Sequence, residues 1–77
     1  MSASEDSLRQ TIRSLSALRE TYRTECVLLR ETRKGASDSK MVLIDETIAM
    51  KERMLKALDR SIAVCSEQLE TFQRFKR

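Results

Sequence analysis

Few side chains in this sequence have the type and spacing that chemistry requires. The two cysteines, Cys26 and Cys65, lie far apart, there is no Cys-x-x-Cys and no histidine, so neither a zinc site nor a disulfide framework is written here. Both cysteines recur in step with apolar neighbours and read as small core hydrophobes, with a redox role left open. The carboxylates Glu20, Glu25, Asp45, Glu52 and Glu67 read as a solvated face with i,i+4 ion pairs rather than a convergent acid–base pair. Without histidine, a glycine-rich loop or a nucleophile elbow, no general acid–base or phosphate-handling site is expected. The expectation is therefore a chain that is not an enzyme and takes no cofactor and no metal. The terminal Arg74-Phe75-Lys76-Arg77 is basic enough to raise nucleic-acid binding. Elsewhere basic and acidic residues alternate, and cations suit a helix C-terminus, so no nucleic acid is expected as partner.

The elements that must position these residues follow from the composition. Seventy-seven residues allow one small domain, and its net charge of +3 is the small difference between fifteen basic and twelve acidic side chains. One glycine and no proline cannot supply the turns that a sandwich, barrel or βαβ unit of this size needs, so the fold class is all-α. No apolar run approaches the ~20 residues of a membrane span, and the polar, acidic start is the wrong chemistry for a targeting peptide. A soluble, cytoplasmic protein with no membrane partner is the expectation.

The strongest punctuation is Arg33-Lys34-Gly35-Ala36-Ser37-Asp38-Ser39. It predicts a helix over about 5–33, a turn at 34–38 with Gly35 in the left-handed position, and a helix over about 39–76. Ser2 and Glu5 have the spacing of a capping box at the chain start. In the first helix Leu8, Ile12, Leu15, Leu18, Tyr22, Cys26 and Leu29 fall within an arc of about 120°. In the second, Met41, Ile48, Leu55, Ile62 and Leu69 hold one heptad position, and Ile44, Lys51, Leu58, Cys65 and Phe72 the other. The two stripes predict an antiparallel helical hairpin with a coiled-coil-like seam, in which Arg19 and Lys51 are charged exceptions. Folding the chain about Ala36 sets residue i opposite roughly 72 − i, makes Leu15, Leu55, Leu58 and Ile62 the central core, and leaves residues beyond Gln68 as an overhang.

A second apolar line, Leu43, Met50, Met54, Ala57 and Val64, runs roughly opposite the seam, where one neighbouring helix cannot cover it. A small domain buries too little surface to leave such a line idle. The expected partner-binding residues are Leu43, Met50, Met54 and Val64 on this line, Phe72 and Phe75 on the overhang, and the flanking cations Lys51, Arg74 and Arg77. Their chemistry is that of a protein partner: thioethers and branched side chains for an adaptable apolar contact, rimmed by charge.

The stretch Glu52-Arg-Met-Leu-Lys-Ala-Leu-Asp-Arg-Ser-Ile-Ala-Val-Cys-Ser-Glu-Gln-Leu-Glu-Thr-Phe72 resembles the last helix of tubulin-binding cofactor A proteins. Arg53, Met54, Leu55, Leu58, Ile62, Glu67, Leu69 and Phe72 match that family's pattern in order, and Ile12 to Leu15 with Glu20 to Glu25 is similar to its first helix. Lys56 stands where family members often carry a proline that bends the final helix. The resemblance implies a three-helix, non-catalytic chaperone that captures β-tubulin for heterodimer assembly, a cytoskeletal role. In length and turn placement the chain is also similar to the helical-hairpin co-chaperones of type III secretion needle subunits, which implies a needle subunit as partner. A third reading is a coiled-coil adaptor whose partner is its own copy.

Overall fold

The computed structural model describes residues 4–75. It is an all-α hairpin of two helices, α1 (Glu5–Arg33) and α2 (Asp38–Phe75), with no strand among the described residues. The helices form a rod with extents of 59 × 19 × 14 Å. Ser2, the expected cap, and Lys76 and Arg77 lie outside the described residues.

Each helix end is explained by its local chemistry. Ser4 caps α1, its Oγ accepting from the Ser7 amide at 3.1 Å, while Glu5 and Asp6 place negative charge on the amide end of the dipole. Arg30 and Arg33 sit in the last turn, where cations meet unpaired carbonyls. The exit from α1 departs from expectation: Gly35 does not have a positive φ. Instead the Lys34, Gly35 and Ala36 amides donate to the carbonyls of Glu31, Thr32 and Arg33, so the helix tightens into 3₁₀-type turns and the left-handed cap is unnecessary. The carbonyl of Ser37 then accepts from the Met41 amide at 2.8 Å and opens α2.

The register also differs from a fold about Ala36. Arg33 pairs with Asp45, Glu25 with Lys51 and Arg19 with Asp59, so residue i lies opposite roughly 77 − i. The reason is visible in the heptads. At this offset every seam residue of α1 faces a seam residue of α2: Leu29 faces Ile48, Tyr22 faces Leu55, Leu15 faces Ile62 and Leu8 faces Leu69. Sliding one heptad the other way would bring Arg19 against Lys51, two like charges inside the seam. The charged exceptions thus set the register, and each has a carboxylate beside it.

Full burial is confined to Leu8, Cys26 and Ile48 among the described residues. Leu15, Leu55, Leu58 and Ile62, expected as the central core, are half-buried, because a single neighbouring helix covers only one side of a seam residue. The overhang shrinks as well: Leu69 is half-buried opposite Leu8, and Phe72 falls level with Glu5. The new register sets Cys26 level with Lys51, about 14 residues or ~21 Å along α2 from Cys65, which keeps the two free thiols beyond disulfide reach.

Candidate functional site

Lettering the heptads from the seam separates the two sides of the rod. In α1 the a positions are Ile12, Arg19, Cys26 and Arg33, and the d positions Leu8, Leu15, Tyr22 and Leu29. In α2 the a positions run from Met41 to Leu69 and the d positions from Ile44 to Phe72. In an antiparallel pair the e positions of both helices flank one side of the seam and the g positions the other.

The e side is laced with charge. Arg33 reaches both carboxylate oxygens of Asp45, its Nε at 2.7 Å and an Nη at 3.2 Å. This bidentate contact holds the Asp45 carboxyl below its ordinary range and raises the Arg33 guanidinium, through the hydrogen bond first. Arg19 reaches Asp59 at 3.2 Å and Arg30 reaches Glu52 at 3.6 Å. A shallow groove on this side is lined by Arg23, Cys26, Val27, Arg30, Glu52 and Leu55.

The g side is different in kind. Its c and g positions from Ser7 to Phe75 carry only Glu25 and Lys40 as charges, in a chain of which 35% is charged. Leu18, Leu28, Leu43, Met50, Met54 and Val64 all lie here with exposures of 41 to 63%. One groove is lined by Leu18, Tyr22, Met54, Ala57, Leu58 and Ser61, and a second by Glu25, Leu28, Leu29, Thr32, Thr47 and Lys51, so both helices build this face. Five threonines, Thr11, Thr21, Thr32, Thr47 and Thr71, occupy c or g positions, and each hydroxyl donates to the carbonyl four residues back at 2.9 to 3.1 Å. With the hydroxyls spent on their own helices, the methyl groups remain to meet a partner. The result is a long, nearly charge-free face of leucine, methionine, valine, alanine and inward-bonded threonine.

The expected binding residues divide on this geometry. Leu43, Met50, Met54 and Val64 share the face, which flanks the d positions rather than lying opposite the seam. Phe75, 85% exposed, continues it at the end of α2. Phe72 holds a seam position but is 38% exposed, level with Glu5 rather than with an apolar residue of α1. Lys51 is not a free cation: its Nζ lies 3.2 Å from Glu25 Oε1 and 5.1 Å from the Tyr22 ring centroid, held inside the hairpin. Arg74 is exposed on the outer surface at an f position, away from the face, and Arg77 lies outside the described residues. Leu18, Leu28 and the threonines were missed as binding residues. The threonines on both helices escape an apolar count because threonine scores as polar, whereas Leu18 falls within the seam stripe by spacing but stands 41% exposed at a g position in the structure.

Among the described residues no group of three or more His, Cys, Asp or Glu side chains is placed to hold a metal ion, and no helix is long and apolar enough to cross a membrane. No protein-family model, no curated protein and no solved structure matches this chain.

Proposed function

We propose that the chain is a non-catalytic, cytoplasmic protein-binding module of the chaperone type, which receives helices of a partner protein on its charge-free c/g face. The observation that carries this reading is the contrast between the two sides. A hairpin that used no partner would distribute charge on both flanks, as solvation favours, whereas this one concentrates its ion pairs on the e side and leaves leucine and methionine half-exposed on the other. An amphipathic helix with an uncharged apolar stripe fits such a face, by the helix-in-groove mode.

The resemblance to tubulin-binding cofactor A makes β-tubulin one client. The two-helix build, without a third helix among the described residues, favours the second resemblance, to co-chaperones of secretion needle subunits. Pull-down with purified β-tubulin and with a needle subunit, using parent and Met50→Glu/Met54→Glu, tests the reading. Parent retention of one client, with at least a tenfold loss in the double variant at unchanged circular dichroism, is the expected result, since carboxylates desolvated in an apolar contact are strongly penalised. A double variant that holds a client as tightly as the parent removes the face from the function.

A further inference from the structure

We infer that the occupant of the c/g face in the absence of a client is a second copy of this chain, packed antiparallel across a two-fold axis at Ala57 to give a four-helix bundle. The inference rests on the reading of this face as a binding surface and goes beyond it by stating what covers the face at rest.

Three observations select a second copy. The first is area. The face runs along α2 from Leu43 to Phe75, about 48 Å at 1.5 Å per residue. Across the 19 Å width of the rod this gives a footprint of roughly 900 Å² per copy, or ~1,800 Å² for two, within the size of a stable interface. The second is charge. Glu25 is neutralised by Lys51 within one hairpin, which leaves Lys40 at one end of the face as its single uncompensated charge, so two copies meet along the rest of the face without like-charge contact and no run of charge calls for an oppositely charged partner. The third is stability. With only Leu8, Cys26 and Ile48 fully buried among the described residues, a lone hairpin lacks the core that a chain of this size needs, and a copy is the one partner always present at its own concentration.

Orientation follows from Lys40, the one cation on the face with no carboxylate partner among the described residues. A parallel dimer would bring both Lys40 to the same end of the interface. An antiparallel dimer about Ala57 sets each Lys40 level with residue 74 of the other copy, between the uncharged face residues Thr71 and Phe75, so the two Lys40 lie at opposite ends of the interface. The midpoint of α2 is then the axis, and there the groove carries the small Ala57 and Ser61 between Leu18 and Met54, which lets two rods approach closely. An interface of this kind is isologous, so the residue on the axis meets itself.

That self-contact supplies the test. Sedimentation velocity should give twice the chain mass for the parent and for Arg53→Glu on the outer surface. Ala57→Glu and Ala57→Lys should each sediment as monomers with helical circular dichroism retained at low temperature. Mixed one to one, they should return to the dimer, because opposite charges meet on the axis. Leu43→Glu mixed with Leu43→Lys should gain nothing, since those positions lie far apart in an antiparallel pair. A parent that is monomeric at every concentration overturns the inference, and so does any rescue by the Leu43 mixture, which would make the pair parallel whatever the Ala57 mixture does. A monomeric parent whose client binding is nonetheless lost in Met50→Glu/Met54→Glu would overturn the dimer alone. A dimeric parent with client binding untouched by that variant would instead overturn the client reading.

Discussion

Gly35 sits at the turn with an ordinary backbone conformation, and a Cβ built there meets nothing within 4 Å. Gly35→Ala should therefore raise stability by about 0.4–1 kcal/mol, because it narrows the unfolded ensemble without straining the native turn. Thermal melts check this, and a clear loss would mean that the residue adopts a left-handed conformation in solution. Asp45 offers a second residue-scale test. Its carboxyl is held below the ordinary range by the Arg33 hydrogen bond, so the stability it contributes is complete at neutral pH. That contribution falls once pH drops below the ordinary carboxylate value and is gone when Asp45 is protonated. Asp45→Asn should flatten the acid limb of the stability curve, with a small effect at pH 7 because the pair is solvent-exposed. An unchanged acid limb would show that the pair is not formed.

At the scale of the helices, the seam was legible because spacing by seven survives any error about the turn. The register was not, because it was reckoned from the midpoint of the loop. Loop geometry does not fix the relative height of two helices; mating of seam residues does. Leu29 faces Ile48 only at an offset of roughly 77, and the charges Arg19 and Lys51 exclude the neighbouring heptad. Replacing both with leucine should raise the melting temperature by removing two charges from the seam. It should also admit the slipped register, read as doubled amide resonances in solution. A single set of resonances would assign the register to some other contact. Burial orders the core in the same way: Ile48, 8% exposed, should cost about 2–5 kcal/mol when truncated to alanine, and the half-buried Leu58 less. The reverse order in thermal melts would contradict the placement of the core.

The whole molecule is a rod with unlike flanks, charge-laced on the e side and nearly charge-free on the c/g side. Part of this was legible, since Leu43, Met50, Met54 and Val64 stood out as a surplus apolar line. What hid the rest was that α1 supplies its share through Leu18, Leu28 and threonines whose hydroxyls are satisfied internally, a property of the fold and not of composition. The central claim, that association of any kind uses the c/g face, is tested most directly by oxidative footprinting read residue by residue. Met50 and Met54 should be protected as the protein associates with its copy or a client, while Val27 and Val42 on the other flank stay reactive. Protection of Val27 and Val42, with Met50 and Met54 oxidised as fast as in the unfolded chain, would contradict it.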